Sequence, residues 1–317
     1  MKKVVLAQTA DASVLDMLKG EADVLQVKEG DIEGLKAALS EAVAVIVGTW
    51  IKFDPELMDA APQLKVISRT GAGVDSVDVD AASERGILVL NTPAANAVSV
   101  AEHAVALMMA LSKQLFFLDS SVRAGNFKAR RLYLPVDMDG KTLGLIGCGA
   151  IGRMAAQKCR SAFGMRVVGY DPFLTSSPEG IKLLPSKYDV FKEADFVSLH
   201  LPYTSDTKDT VDSSGLAAMK DSAFLINTSR GGIINEPDLV EALNNDTIAG
   251  AALDVFEKEP LPQGSPLISA KNIILTPHTA ALTRECVVRV AQCATQGVID
   301  YINGKTPEFV FNKKVLE

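Results

Sequence analysis

The chain has 317 residues, too many for one ordinary core, so two domains are expected. Apolar residues make up 48 % and charged residues 22 %, which excludes a disordered chain, and a formal charge of −7 speaks against a nucleic-acid partner held by charge. No apolar run approaches the roughly 20 residues of a membrane helix, and Val4–Ala7 is too short for a signal-peptide core, so a cytoplasmic protein with no membrane partner is expected.

Short apolar runs alternate with helical patterns, the mark of βα units feeding a parallel sheet. The first third predicts strands at Val4–Ala7, Ala44–Gly48, Val66–Arg69 and Ile87–Leu90, with helices at Ser13–Lys19 and Ile32–Ala42 between them. A long helix is predicted from about Ser99 to Phe116, with Glu102 near its start, where the helix dipole favours negative charge. A second series follows, with six strands at Leu143–Gly147, Arg166–Tyr170, Asp195–His200, Ala223–Asn227, Ala251–Val255 and Ile273–Thr276. A last helix runs over Arg284–Ile302, with Val287, Val288 and Ala291 predicted on one buried face. That helix has no domain of its own to build, so a discontinuous first domain (1–98 and 283–317) and a second of 99–282 are expected, with the two long helices as the crossings.

Four cysteines (Cys148, Cys159, Cys286, Cys293) show no paired spacing, and with three histidines in the chain no metal site is expected. The segment Gly147-Cys148-Gly149-Ala150-Ile151-Gly152 fits G-x-G-x-x-G, a weak signal by itself. Its setting is specific: a strand pattern precedes it, a helix pattern follows, and the next strand ends at Asp171, 22 residues beyond Gly149. Gly147 permits the tight turn, Gly149 lets backbone approach a pyrophosphate, and Gly152 lets the helix pack closely. The helix N-terminus then offers free N–H groups to phosphate. Asp171 would accept from two ribose hydroxyls and repel a 2′-phosphate, which favours NAD over NADP.

Three ionisable residues stand just beyond later strands: Arg230 in Asn227-Thr228-Ser229-Arg230-Gly231-Gly232, Glu259 after Asp254-Val255-Phe256, and His278 in Thr276-Pro277-His278. Ligands of open α/β sheets bind beyond the carboxyl ends of strands, so an anion holder, a carboxylate and an imidazole can converge there. The set suits reversible reduction of a 2-oxo acid. These blocks, with Arg69-Thr70-Gly71-Ala72-Gly73-Val74-Asp75, Ala101-Glu102-His103 and His200-Leu201-Pro202, closely resemble the D-isomer-specific 2-hydroxyacid dehydrogenases, especially their phosphoglycerate-dehydrogenase-like branch.

The resemblance spans nearly the whole chain. It implies two Rossmann-like doubly wound parallel-sheet domains, the substrate domain being the discontinuous one, and a homodimer through the cofactor domain. It implies His278 as acid–base, Glu259 orienting the imidazole, and Arg230 gripping the substrate carboxylate. Cofactor contacts fall on Gly147, Gly149, Ala150, Ile151, Gly152, Asp171, His200, Pro202, Thr207, Thr228 and Asp254, the last accepting from the nicotinamide amide. Substrate contacts fall on Trp50, Arg69, Ala72, Gly73, Val74 and Arg230. His200 reads as a strand-end residue beside the adenosine, and His103 as a hydrogen-bonding residue between domains. Lys128, Arg130 and Arg131 are either a site for a second substrate anion or an exposed basic stretch. The substrate is a short 2-oxo or 2-hydroxy acid of the phosphoglycerate, hydroxypyruvate or glyoxylate type. An NAD(H)-sensing binding protein and a phosphite-type dehydrogenase are the competing readings.

Overall fold

A computed structural model describes residues 1–132 and 134–316. The chain divides into two compact units, 1–96 with 282–317, and 97–281.

The first 96 residues carry strands β1 (Lys3–Ala7), β2 (Asp23–Gln26), β3 (Ala42–Val47), β4 (Val66–Arg69) and β5 (Leu88–Leu90). Between them lie helices α1 (Ala12–Leu18), α2 (Ile32–Leu39), α3 (Pro55–Asp59) and α4 (Val79–Glu84). The strands form one parallel sheet in the order β2-β1-β3-β4-β5, a common doubly wound order. Alternation sends Val5, Val45, Val47, Ile67 and Val89 to one face, with Leu35, Leu39, Leu57 and Ala82 of the helices. Val4, Leu6, Ala44, Ile46 and Leu88 form the opposite core. Strands buried on both faces carry apolar residues at nearly every position, so they read as near-continuous runs. Only four strands were expected here; β2 is an edge strand, Asp-Val-Leu-Gln, with mostly exposed side chains and no apolar run to betray it.

The second unit opens with α5 (Ala97–Ser112) and α6 (Leu115–Arg123). The single helix expected over 99–116 is broken because Gln114 takes a left-handed conformation, φ 53°, and the axis turns by 57°. The apolar pattern runs on through the break, but Leu115 and Phe116 are exposed. Among the described residues no single helix is long and apolar enough to cross a membrane; this bent pair passes by length and composition, and α5 is mostly buried.

Then follow β6 (Thr142–Ile146), α7 (Ala150–Phe163), β7 (Arg166–Tyr170), β8 (Lys182–Leu183), α8 (Lys187–Glu193) and β9 (Phe196–Leu199). After these come α9 (Ser213–Ala218), β10 (Phe224–Asn227), α10 (Glu236–Asn244), β11 (Gly250–Leu253) and β12 (Ile273–Leu275). The parallel sheet has seven strands, β12-β11-β10-β9-β6-β7-β8, one more than expected because the two-residue edge strand β8 joins it. Cores lie on both faces, one with α8, α9 and α10, the other with α5 and α7. Chain order reverses between β6 and β9, and the crevice at such a point is where an open α/β sheet takes its ligand.

The chain closes with α11 (Arg284–Ile302), capped by Thr283, whose hydroxyl accepts from Cys286 N–H at 3.1 Å. Ala291, Ala294 and Val298 join the core beside β1, β3 and β4. Val287, expected on the buried face, is 47 % exposed: it stands in the first turn, before the helix reaches that core. The tail then docks on β5 through Asn312, which accepts from Val89 N–H at 2.8 Å and donates to Ile87 O at 2.9 Å.

Candidate active site

The glycine turn joins β6 to α7. Gly147 has φ 94°, and a Cβ there would lie 2.3 Å from His200 O; a Cβ on Gly152 would lie 2.5 Å from Gly147 O. Both positions are therefore closed to side chains by backbone. At Gly149 a Cβ would meet nothing within 4 Å, so this glycine faces open space. Asp11, Asp31, Asp54, Asp78 and Asp212 cap their helices with a side chain, whereas α7 begins on Gly149 with none, and its first N–H groups stay available to an anion.

Asp171 directly follows β7 and is fixed by two backbone amides, Cys148 N–H to Oδ2 at 2.9 Å and Phe173 N–H to Oδ1 at 3.0 Å. The carboxylate thus sits against the glycine turn, where a ribose would follow a pyrophosphate. His200, after β9, bonds Ser198 Oγ through Nε2 at 3.0 Å, while its buried Nδ1 has no protein partner. Burial lowers its pKa to about 4, so the ring is neutral at working pH. Thr228 Oγ1 is likewise buried without a protein partner. Thr207 Oγ1 donates to Pro202 O at 2.7 Å and accepts from Thr204 N–H at 2.8 Å, closing the 202–207 turn. Ala150 and Ile151 form the first turn of α7. An uncapped helix end, open space at Gly149, a ribose-side carboxylate and two orphaned buried polar atoms all fit a dinucleotide.

Arg230, Glu259 and His278 follow β10, β11 and β12, which are neighbours in the sheet, so all three loops leave the same edge. Arg230 Nη1 donates to Ser229 O at 2.7 Å. Glu259 Oε1 accepts from Phe256 N–H at 3.0 Å, and Oε2 lies 2.7 Å from His278 Nδ1. The imidazole is 45 % exposed, and its residue has φ 53°, a conformation that few side chains adopt. That backbone is held by His278 N–H donating to Asp254 O at 2.8 Å.

Asp254 is fully buried. Oδ1 accepts from Thr276 Oγ1 at 2.6 Å and Thr279 N–H at 2.9 Å, and Oδ2 accepts from Ala280 N–H at 2.9 Å. Burial pushes this carboxyl up, but the bonds from His103, Thr276, Thr279 and Ala280 outweigh it and hold the group below the usual carboxylate range. In this geometry the carboxylate clamps the loop that carries His278. His103 bonds Thr276 Oγ1 at 3.1 Å and lies 3.5 Å from Asp254 Oδ1. The interdomain contact expected for it is corrected: both partners belong to its own unit, because α5 packs under β10 and β11.

In the other unit, Trp50 is tied down by its indole N–H donating to Ala7 O and packs against the core. Arg69 donates through Nη1 to Thr70 O at 2.5 Å and lies over Gly71, where a Cβ would fall 1.7 Å from Nη1. The loop bearing Ala72, Gly73 and Val74 is fastened to the end of β5 by Asn91 Nδ2 donating to Ala72 O at 2.7 Å and Thr92 N–H to Gly71 O at 2.9 Å. Lys128, Arg130 and Arg131 lie exposed on a short 3-10 helix, Phe127–Arg131, with Arg130 4.9 Å from the Phe127 ring. Cys148 and Cys159 are buried thiols whose pKa values burial pushes up to about 11 and about 12. Asn227 and Thr276 were not among the expected site residues; the one available sign was a polar residue ending an apolar strand run.

A family model described as "D-isomer specific 2-hydroxyacid dehydrogenase, NAD binding domain" matches residues 105–280. The chain is 36 % identical over 307 residues to a D-3-phosphoglycerate dehydrogenase of Archaeoglobus fulgidus, covering 95 % of this chain and 58 % of that protein. It therefore spans little more than half the length of that relative. It is 34 % identical over 313 residues to a glyoxylate reductase of Korarchaeum cryptofilum, covering 96 % and 91 % of the two chains. A crystal structure of a protein from Thermus thermophilus superposes with a TM-score of 0.88 at 36 % identity, covering 98 % and 99 %. With its doubly wound sheets and a glycine turn built for a nicotinamide dinucleotide, this chain belongs to the D-isomer specific 2-hydroxyacid dehydrogenase family.

Proposed function

We propose that the protein is an NAD-dependent D-2-hydroxyacid dehydrogenase that interconverts a short 2-oxo acid and its 2-hydroxy acid. The observation that carries this reading is the His278–Glu259 pair, 2.7 Å apart, on the same sheet edge as Arg230 and the dinucleotide turn. When bound, the nicotinamide supplies or accepts the hydride at the substrate carbon. Glu259 fixes the imidazole by taking Nδ1–H, so Nε2 gives a proton to the carbonyl oxygen in reduction and takes it from the hydroxyl in oxidation. Arg230 holds the substrate carboxylate with its planar fork. Asp171 selects NAD by accepting from the ribose hydroxyls. Asp254 keeps His278 in place.

Trp50, Arg69, Ala72, Gly73 and Val74 are the proposed contacts of the substrate in the other unit. The substrate is of the glyoxylate, hydroxypyruvate or phosphoglycerate type, as the names of the relatives suggest. The exposed apolar side chains Leu115, Phe116, Phe127, Leu132 and Leu134, gathered within 20 residues, support a homodimer through the NAD-binding unit. Four free cysteines fit the reducing cytoplasm.

The test is oxidation of NADH, with NADPH in parallel, by the purified protein across glyoxylate, hydroxypyruvate, phosphohydroxypyruvate and pyruvate. Turnover with at least one is expected. No turnover with any, despite NADH binding, overturns the assignment in favour of a cofactor-sensing protein.

A further inference from the structure

We propose that Asn227 is the positioning residue for Arg230, so that a buried carboxamide sets the affinity for the substrate carboxylate without touching it. The proposal rests on the dehydrogenase reading above. Asn227 ends β10 and is 1 % exposed. Its Oδ1 accepts from Ser229 N–H at 3.0 Å and from Ser229 Oγ–H at 2.7 Å, and its Nδ2 donates to Arg230 O at 2.8 Å. Ser229 O in turn accepts from Arg230 Nη1 at 2.7 Å. One amide group therefore fixes the orientation of Ser229, which anchors one guanidinium nitrogen, and the carbonyl of the arginine itself.

The two residues after Arg230 are glycines without side chains to pack. A Cβ on Gly231 would lie 1.8 Å from Phe256 O, and Gly232 has φ 75° with its Cβ position 2.8 Å from Tyr203 Cε2. The downstream half of the loop is thus pressed between backbone and ring, and the upstream half is bonded to Asn227. Both functions of a carboxamide are used at once. Aspartate keeps the acceptor and loses the donor; serine is too short to bridge from Ser229 to Arg230; both leave buried groups unpaired. Asp254 N–H also donates to Asn227 O at 2.9 Å, so the clamp under Arg230 adjoins the clamp under His278 at neighbouring strand ends.

The experiment compares Asn227→Asp and Asn227→Ser with Arg230→Lys and with the double variants, using the 2-oxo acid that the wild type turns over best. A positioning role predicts a KM for the acid raised by about tenfold or more, a smaller fall in kcat, and NADH binding by fluorescence titration within about threefold of wild type. In the Arg230→Lys background, replacing Asn227 adds less than about twofold, since the two residues act as one unit. Additive penalties, or an unchanged KM, overturn the proposal. Crystal structures of the two Asn227 variants give a readout independent of turnover: the Arg230 Nη1–Ser229 O bond is expected to break, and an unmoved 228–230 turn overturns the proposal. Wild-type turnover in the same assay reports separately on the dehydrogenase reading.

Discussion

Glu259 uses its two oxygens for different tasks, one accepting from Phe256 N–H at 3.0 Å and the other lying 2.7 Å from His278 Nδ1. The carboxylate is braced on backbone before it meets the ring, so it orients His278 without depending on its own rotamer freedom. Replacing His278 with alanine is expected to lower kcat by about 10²- to 10⁴-fold, the usual range for a lost acid–base group, with NADH binding nearly intact. Steady-state kinetics and a fluorescence titration check this, and normal turnover in the variant removes the acid–base assignment.

Cofactor choice is expected to rest on Asp171, whose carboxylate is pinned by Cys148 N–H and Phe173 N–H. Asp171→Ala should shrink the ratio of kcat/KM for NADH over NADPH by about tenfold or more, chiefly by relieving repulsion of a 2′-phosphate. An unchanged ratio contradicts the ribose role.

The glycines divide into two kinds, and alanine scanning should separate them. Gly149→Ala places a methyl in open space, so the thermal midpoint should stay within a degree or so while NADH binding weakens. Gly231→Ala drives a methyl to 1.8 Å from Phe256 O, with Phe256 C and Glu257 N also within 2.5 Å. A cost of about 1–3 kcal/mol or more is expected, a fall of several degrees in midpoint. Calorimetry with and without NADH tests both, and equal behaviour of the two variants would defeat the distinction.

Acid should weaken the fold in two stages. His200 is buried and neutral, with its pKa lowered to about 4 against about 6.5 in the unfolded chain. Between those values the unfolded state binds the extra proton, so stability rises with pH and is lost as pH falls from 6.5 towards 4, by on the order of 3 kcal/mol. Asp254 adds its loss lower still, because its carboxyl is held below the usual range and must be protonated before the clamp fails. Denaturant midpoints at pH 7, 6, 5 and 4 should therefore decline, and His200→Gln should flatten the upper part of that decline. A slope unchanged in His200→Gln refutes the assignment.

A homodimer formed through the exposed apolar segment predicts that Phe116→Asp with Leu134→Asp shifts light-scattering mass from twice the chain mass to one chain. Both side chains are largely exposed, so the single chain should still fold. A wild type that is monomeric at micromolar concentration ends this idea.

Much of the molecule was legible because buried parallel strands announce themselves as apolar runs. β7 and α11 fall where the pattern puts them, and the glycine turn could be read together with Asp171 because their spacing follows from one βαβ unit. Edges were not legible: β2 and β8 carry too few buried side chains to leave a pattern. Nor was the break at Gln114, where a left-handed residue interrupts an unbroken apolar period. Among the candidate site residues, Arg230, Glu259 and His278 stood out as ionisable groups just beyond apolar strands. Asn227 and Thr276 did not, because their work is to bond other protein groups, and such partners are set by strand order. His103 shows the difference: its helix was foreseen, its partner Thr276, 173 residues away, was not.

Strand β12 has only three residues, is half-buried along its length and lies at the margin of the seven-stranded sheet, yet it leads directly to His278. Margins of sheets open at lower free energy than their centres. His278, the proposed proton-transfer group, therefore hangs from one of the two margins of this sheet, with Asp254 as its stay. On slow heating, loss of turnover should run ahead of loss of helical signal, and amide exchange at Ile274 and Leu275 should outpace that at Leu225 and Ile226 in the middle of the sheet.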